Sequence, residues 1–289
     1  MRVRLLGTAA GGGIPQWNCA CAGCARARGT SAARTQDCVA VSGDGRSWYL
    51  LNASPDLRAQ LLAAPELAPG PGRRETPLCG VLLSTAELDH TLGLLTLREA
   101  RELAVYGTAA VLDALAGPFP VRPMLDHYTA VSWHTVAPGT PVPLRGGLAA
   151  TALPVGAKPP RYAPATGGDW VVAYRITDQR TGAALVYAPC LPAIDDAFLD
   201  AAAGAAYAIL DGTFLHEDEM VRATGGGRTA TAMGHLPITA SLPRLAGLTG
   251  TTVLYTHLNN TNPVAAASGD GHLTAAGAEV ATDGRLITL

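Results

Sequence analysis

The chain has almost no lysine and no long apolar run. Of its 21 basic residues only Lys158 is a lysine, which we interpret as the codon bias of a GC-rich genome and not as chemistry. The formal net charge of -2 gives no global electrostatic attraction to nucleic acid or to an anionic membrane. No apolar run reaches the roughly 18 to 20 residues that span a bilayer. The sequence therefore predicts no nucleic-acid partner and no membrane partner.

A secretion signal, low-complexity segments and fixed-period repeats are also missing. The first residues, MRVRLLGTAAGGGIPQW, break into glycines before an apolar stretch is long enough for a signal peptide, so we interpret them as a strand and a turn. This pattern predicts a cytoplasmic protein. Hydrophobic residues make up 48% of the 289, enough for a sizeable core. With no visible boundary, residues 1–289 are expected to form a single domain.

Short β-type runs separated by Gly, Pro and Asp recur along the chain. These runs are RVRLLG, CVAVSG, SWYLLNAS, LCGVLLS, LAVYGT, WVVAYRIT, ALVYAPC, YAILDG and TVLYTHL. Helical spacing appears near DLRAQLLAA, TLGLLTLREARE, AAVLDALAG and LPAIDDAFLDAAAG. Strands that outnumber helices, with helices after particular strands, predict an α/β fold of two packed sheets covered by helices.

Three of the six cysteines are clustered. Cys19, Cys21 and Cys24 lie in WNCACAGCARAR, and a C-x-C-x-x-C turn suits Zn²⁺ but leaves a tetrahedral site one ligand short. A disulfide framework is not expected in a reducing compartment. Three unrelated small residues in a loop are the alternative interpretation. The isolated cysteines are interpreted as small buried hydrophobes; they are Cys38, Cys79 and Cys190.

Polar residues follow several strand runs, where an apolar core would reject them. Asp89 and His90 come after VLLS, Asp211 ends YAILD, and His257 follows TVLYT. If these strands are neighbours, two carboxylates and two imidazoles converge at one edge of the sheet and form a catalytic metal site. Taken singly, each residue also fits a turn or an ordinary satisfied histidine.

This order of polar residues resembles the metallo-β-lactamase superfamily. The stretches GGGIPQWNCAC, RTQDCVAVS, LLNASPDLRAQL, ELDHTLGLLTLRE, KPPRYAP, LDGTF, DEM, MGHLP and HLNNTNP, in this order between residues 11 and 263, are similar to the pyrroloquinoline quinone (PQQ) biosynthesis protein B family. The resemblance implies a metallo-β-lactamase-like αββα sandwich for residues 1–289.

The superfamily's His-x-His-x-Asp-His turn is incomplete in this sequence. Thr85 and Glu87 replace the two leading histidines, as in the PQQ family, and Asp89 and His90 remain. The resemblance implies that the first metal position is lost. Two histidines, His90 and His257, with Asp89 or Asp211 suit non-haem Fe(II) and leave coordination positions for O₂ and substrate.

His235 in AMGHLP has two interpretations. In a related branch, the cyclic phosphodiesterase of phosphonate catabolism, a histidine at this place completes a three-cysteine structural zinc site. The resemblance therefore implies that His235 joins Cys19, Cys21 and Cys24 on Zn²⁺. The alternative is a catalytic acid, as in the tRNA-processing nucleases of the superfamily.

The family resemblance implies an iron-dependent, O₂-using hydroxylase in PQQ biosynthesis. Its substrate would be a cross-linked glutamate-tyrosine precursor excised from a ribosomal peptide. Two alternatives remain: a carrier that binds or transports PQQ or its precursor, and a mononuclear metal-dependent hydrolase. A homodimer is compatible with the sequence, which does not fix the oligomeric state.

Such a substrate carries carboxylates and a phenol ring. A pocket for it should offer guanidinium or ammonium groups and an aromatic wall. The candidate substrate-binding residues, each of which could equally be an ordinary surface residue, are Trp17, Arg34, Lys158, Arg161, Tyr162 and Asn260.

Overall fold

The computed structural model describes residues 1–265, 273 and 277–289, in which two seven-stranded sheets form. The first sheet has the order β14-β1-β2-β3-β4-β5-β6. Its strands are β1 (Arg2–Gly7), β2 (Cys38–Ser42), β3 (Trp48–Leu51), β4 (Leu78–Leu82), β5 (Glu102–Gly107), β6 (Ala130–Thr135) and β14 (Leu286–Thr288).

The second sheet has the order β13-β12-β11-β10-β9-β8-β7. Its strands are β7 (Val142–Leu144), β8 (Leu148–Gly156), β9 (Val171–Asp178), β10 (Ala184–Ala188), β11 (Tyr207–Asp211), β12 (Thr252–Thr256) and β13 (Ala278–Val280). Strands β10, β11 and β12 pair in parallel, as do β3 and β4 in the first sheet. The carboxyl ends of each parallel group therefore meet at one edge.

Helices connect the strands. The α-helices in the described ranges are α1 (Ala22–Ala27), α2 (Leu57–Ala63), α3 (Leu88–Thr91), α4 (Ala109–Ala116), α5 (Val121–Leu125), α6 (Asp196–Ala202), α7 (Glu219–Thr224), α8 (Ala230–Met233) and α9 (Ile238–Leu245). Short 3₁₀ segments are Pro65–Leu67, Leu92–Glu99, Arg145–Gly147 and Pro263–Ala265. None of these helices combines the length and the apolar composition that crossing a bilayer requires.

Neighbouring residues of one strand belong to different layers of the core. In β3, Tyr49 and Leu51 pack between the sheets, and Leu50 packs under the helices of the first sheet. In β10, Tyr187 lies between the sheets and Val186 lies under the helices of the second sheet. Strands buried on both faces are apolar throughout, which explains the continuous runs in the sequence. The predicted αββα sandwich is confirmed.

All nine predicted strand runs form strands. The stretch TLGLLTLREARE differs from the prediction, because α3 ends at Thr91 and a 3₁₀ segment follows. Gly93 lies at the start of that segment, and its N–H donates to the Ala53 carbonyl at 3.0 Å. A Cβ on Gly93 would lie 2.3 Å from the Ser54 carbonyl oxygen. Only glycine lets the turn after β4 pack this closely against the loop after β3.

We therefore expect Gly93→Ala to lower the free energy of unfolding by about 2 kcal/mol or more, because overpacking forces the backbone apart. The measurement is urea unfolding followed by circular dichroism. Gly226→Ala is the matched control, because no atom lies within 4 Å of a Cβ at that position. Equal midpoints for the two variants would contradict this close packing.

Candidate metal and active site

The polar residues predicted from the strand ends lie at one edge of the sandwich. Asp89 and His90 lie in α3 after β4, Asp211 is the last residue of β11, and His257 follows β12. In the part of the chain that the structure describes, the non-glycine residues with positive φ are Asn52 (65°) and His257 (56°). Both lie at this edge, and such backbone conformations persist only where the surrounding structure fixes them.

One carboxylate and two imidazoles converge here. Oδ2 of Asp89 lies 3.1 Å from Nε2 of His257 and 3.8 Å from Nε2 of His90. The two rings are stacked with centroids 5.0 Å apart, and both side chains are buried. The structure thus brings together three of the four residues predicted for the active-site metal around a single oxygen atom.

His90 is oriented by a residue that the sequence analysis does not identify, Asn52. Oδ1 of Asn52 accepts a hydrogen bond from the Ser84 backbone N–H at 2.8 Å, which fixes the direction of its amide. Nδ2 of Asn52 then lies 2.8 Å from Nδ1 of His90 and donates to the Tyr187 hydroxyl at 3.0 Å. Because Nδ1 faces Asn52, Nε2 of His90 faces Asp89.

The charges of this cluster are strongly coupled. Burial lowers the pKa of His90 to about 4, although Asp89 opposes the shift. Burial also acts on Asp89 and His257, but attraction outweighs it: His90 and then His257 hold the pKa of Asp89 below its usual range, and Asp89 raises the pKa of His257 to about 9. Attraction between the Asp89 carboxylate and the two imidazoles thus holds the three groups around one point. Two imidazoles and a carboxylate around such a point are donors that fit a divalent metal ion.

Asp211 lies behind His257. Its Oδ1 accepts hydrogen bonds from the backbone N–H and the hydroxyl of Thr213, at 3.0 and 2.6 Å. The Thr213 oxygen is 2.8 Å from Nδ1 of His257. Oδ2 of Asp211 accepts from the Leu191 N–H at 2.8 Å and lies 2.7 Å from Nδ1 of His235. Asp211 therefore contacts His235 directly and His257 through the Thr213 hydroxyl.

The implied assignment of His235 to the cysteines is corrected by the structure. α8 ends at Gly234 in a left-handed conformation, and the chain then turns His235 toward the edge. Its ring stacks on His257 with centroids 5.5 Å apart, and Asp211, His235 and His257 bring ligand atoms within 4.8 Å of one another. This position is compatible with the alternative that the sequence left open, a catalytic acid.

The three clustered thiols do converge, with ligand atoms within 4.8 Å of one another. The group that faces them is the side-chain amide of Asn260, whose Nδ2 lies 3.3, 3.9 and 3.5 Å from the sulfurs of Cys19, Cys21 and Cys24. This corrects the assignment of Asn260 to the substrate pocket. Cys21 caps α1, and the Cys24 backbone N–H lowers its pKa to about 7. A low thiol pKa favours metal ligation.

The two replaced histidines leave no imidazole for a first metal, and Glu87 belongs to none of the metal-ligating clusters among the described residues. Thr85 is buried, forms an isolated bridge with Val171, and its hydroxyl has no hydrogen-bond partner among the described residues. Burial raises the pKa of Glu87, and the charges of Lys158 and Arg161 oppose that shift. Of the turn residues, Asp89 and His90 are those that lie against His257.

Two predicted substrate contacts, Lys158 and Arg161, are exposed near the cluster. Nζ of Lys158 donates to the carbonyls of Ala232 and Met233, at 3.3 and 2.6 Å, next to His235. Arg161 is exposed and close enough to act on the charge of Glu87. Both can bind carboxylates there.

Three other predicted contacts have different surroundings. The Arg34 guanidinium donates to Thr8 and to the Ala281 carbonyl, so it is used within the fold. The Tyr162 hydroxyl donates to the Ala86 carbonyl. Trp17 is 85% exposed and lies beside Cys19 at the surface. Both of these bonds come from Nη1 of Arg34, so the assignment of this residue as a substrate ligand stays a prediction.

The cysteine cluster yields a prediction about zinc content. Asn260→Ala should lower zinc content and melting temperature along with Cys21→Ser, because binding energy in a closed metal site contributes to folding. His235→Ala should leave the zinc content unchanged. The measurements are metal analysis of the purified proteins and thermal unfolding. Loss of zinc in His235→Ala but not in Asn260→Ala would restore the original assignment.

Residues 47–258 match the family model described as "Beta-lactamase superfamily domain". Coenzyme PQQ synthesis protein B from Cupriavidus necator is 42% identical, over 99% of both chains. The crystal structure of the Zn²⁺-bound PqqB from Methylobacterium extorquens is 33% identical and superimposes with a TM-score of 0.90 over 100% of both chains. A diphosphatase of the PhnP family, 20% identical with a TM-score of 0.71 over 100% of this chain and 97% of its own, shares the fold.

Proposed function

Because the chain belongs to the coenzyme PQQ synthesis protein B family, we propose that it is the iron-dependent hydroxylase of a PQQ precursor. The substrate in this proposal is the cross-linked glutamate-tyrosine product of a ribosomal peptide, and the oxidant is O₂. The relatives named coenzyme PQQ synthesis protein B or PqqB support the coarser statement, a metal-binding member of the β-lactamase superfamily that takes part in PQQ biosynthesis.

The observation that carries the proposal is the convergence of His90, His257 and Asp89, with nitrogen to oxygen distances of 3.8 and 3.1 Å. Two histidines and one carboxylate form the donor set of non-haem Fe(II) oxygenases, in which coordination positions stay open. When bound, ferrous iron would supply the activation of O₂. The absence of imidazoles at Thr85 and Glu87 argues against a dizinc hydrolase, whose first metal needs them.

The residues around this centre suit a polyanionic phenol. Lys158 and Arg161 are exposed near this centre and can pair with substrate carboxylates. His235 is held by Asp211 at 2.7 Å, and its side chain is 15% exposed, beside His257. A histidine oriented by a carboxylate in this way can accept a proton. We propose that His235 accepts the proton that the phenol ring of the substrate loses when a hydroxyl group replaces one of its hydrogens.

Hydrolysis at a mononuclear centre is the second candidate, and the Asp211–His235 pair favours it. The same pair could protonate a leaving group. The two functions differ in their need for oxygen: hydrolysis would proceed with Zn²⁺ in the absence of O₂, and hydroxylation would not.

Replacing a ligand gives the direct test. His90→Ala and His257→Ala should each lower O₂ consumption with the cross-linked precursor, ferrous iron and ascorbate as reductant. Changing even an outer partner of a metal ligand costs roughly 10- to 100-fold, so we expect at least that loss here. The zinc of the cysteine cluster should remain. His127→Ala, which changes an exposed histidine, is the matched control.

A His90→Ala protein that oxidises the precursor at the parental rate would refute the proposed centre. Turnover of a phosphodiester or a lactone by the Zn²⁺-loaded protein under anaerobic conditions, with no O₂ uptake, would favour the hydrolase.

A further inference from the structure

A thiol lies at the same metal cluster. Cys190 follows β10, and its Sγ is 3.5 Å from Nε2 of His90. The ligand atoms of His90, Cys190 and His257 all lie within 4.8 Å of one another. The interpretation of Cys190 as a small buried hydrophobe therefore misses its contact with the site. We propose that Cys190 is a ligand of the metal held by Asp89, His90 and His257.

The distances carry this proposal. A metal to sulfur bond of about 2.3 Å and a metal to nitrogen bond of about 2.0 Å, at the tetrahedral angle, place the two ligand atoms about 3.5 Å apart. The observed separation of Sγ from Nε2 of His90 is 3.5 Å. An imidazole nitrogen and a carboxylate oxygen on one metal lie about 3.4 Å apart by the same geometry. The Asp89 oxygen is 3.1 and 3.8 Å from the two imidazole nitrogens.

The backbone next to Cys190 is held by the site itself. The Leu191 N–H donates to Oδ2 of Asp211 at 2.8 Å, and the Leu191 carbonyl accepts from the Leu236 N–H at 2.8 Å. These bonds tie the loop after β10 to the end of β11 and to the segment that carries His235. Cys190 is therefore placed by the same contacts that place Asp211 and His235.

This inference rests on the proposed metal centre and refines it. Two imidazoles, a carboxylate and a thiolate would supply four donors to that metal. A sulfur donor also favours softer metals such as zinc over hard, oxygen-preferring cations.

The test is an anaerobic cobalt titration of protein that already carries zinc in its cysteine cluster. Cobalt bound by Cys190 should show sulfur-to-cobalt charge-transfer absorption. Cys190→Ser and Cys190→Ala should lose that band and bind cobalt at least about tenfold more weakly, since altered metal sites typically lose roughly 10- to 100-fold in affinity. Cys79→Ser, at a half-buried thiol outside the cluster, should behave like the parent. Circular dichroism checks that each variant is folded.

The outcomes separate this inference from the proposed function. If the parent binds cobalt in a manner that His90→Ala abolishes, but Cys190→Ser keeps the parental spectrum and affinity, the contact of Cys190 with His90 is only an N–H···S hydrogen bond and the inference is overturned. The proposed centre would stand. If the parent binds no cobalt beyond the cysteine cluster, both the sulfur ligand and the proposed centre are refuted.

Discussion

A buried polar bridge between the two sheets holds the active site in place. The Tyr187 hydroxyl, from the second sheet, donates to Oδ2 of Asp37 and accepts from Asn52 at 3.0 Å. Asp37 and Asn52 flank strands β2 and β3 of the first sheet. Oδ1 of Asp37 accepts from the Thr256 hydroxyl at 2.5 Å, which returns the network to the second sheet. Burial raises the pKa of Asp37 to about 6, yet every polar atom of the bridge has a partner.

The two histidines depend on this bridge. Asn52 fixes the direction of the His90 ring, and Thr256 immediately precedes His257 in the chain. Asn52 and His257 both adopt left-handed backbone conformations, directly after β3 and β12 end. Satisfied buried networks stabilise one arrangement over its alternatives. The residues that position the two histidines are thus buried, whereas Lys158 and Arg161 are exposed.

The sequence predicts the sandwich and three residues of the site, Asp89, His90 and His257, for physical reasons. Strands buried on both faces are apolar throughout, so their positions can be read directly, and polar residues that follow such runs must lie at an edge. Asp89, His90 and His257 were therefore accessible to prediction. Spacing along the chain does not show which loop folds over which strand, so His235 and Asn260 are each assigned to the wrong cluster.

The sequence does not show the roles of three further residues, Cys190, Asn52 and Thr213, for two reasons. Cys190 gives none, because an isolated cysteine after an apolar run looks like a small hydrophobe. Asn52 and Thr213 lie in the stretches LLNASPDLRAQL and LDGTF, but their roles follow from hydrogen bonds across the sheets, which a sequence does not contain.

Anomalous diffraction from crystals loaded with ferrous iron under anaerobic conditions tests the central claim most directly. Data on both sides of the iron and zinc absorption edges locate each metal separately. We predict an iron peak between Asp89, His90 and His257, and a zinc peak among Cys19, Cys21 and Cys24. Iron at the cysteines, or no iron at the histidines, would contradict the account.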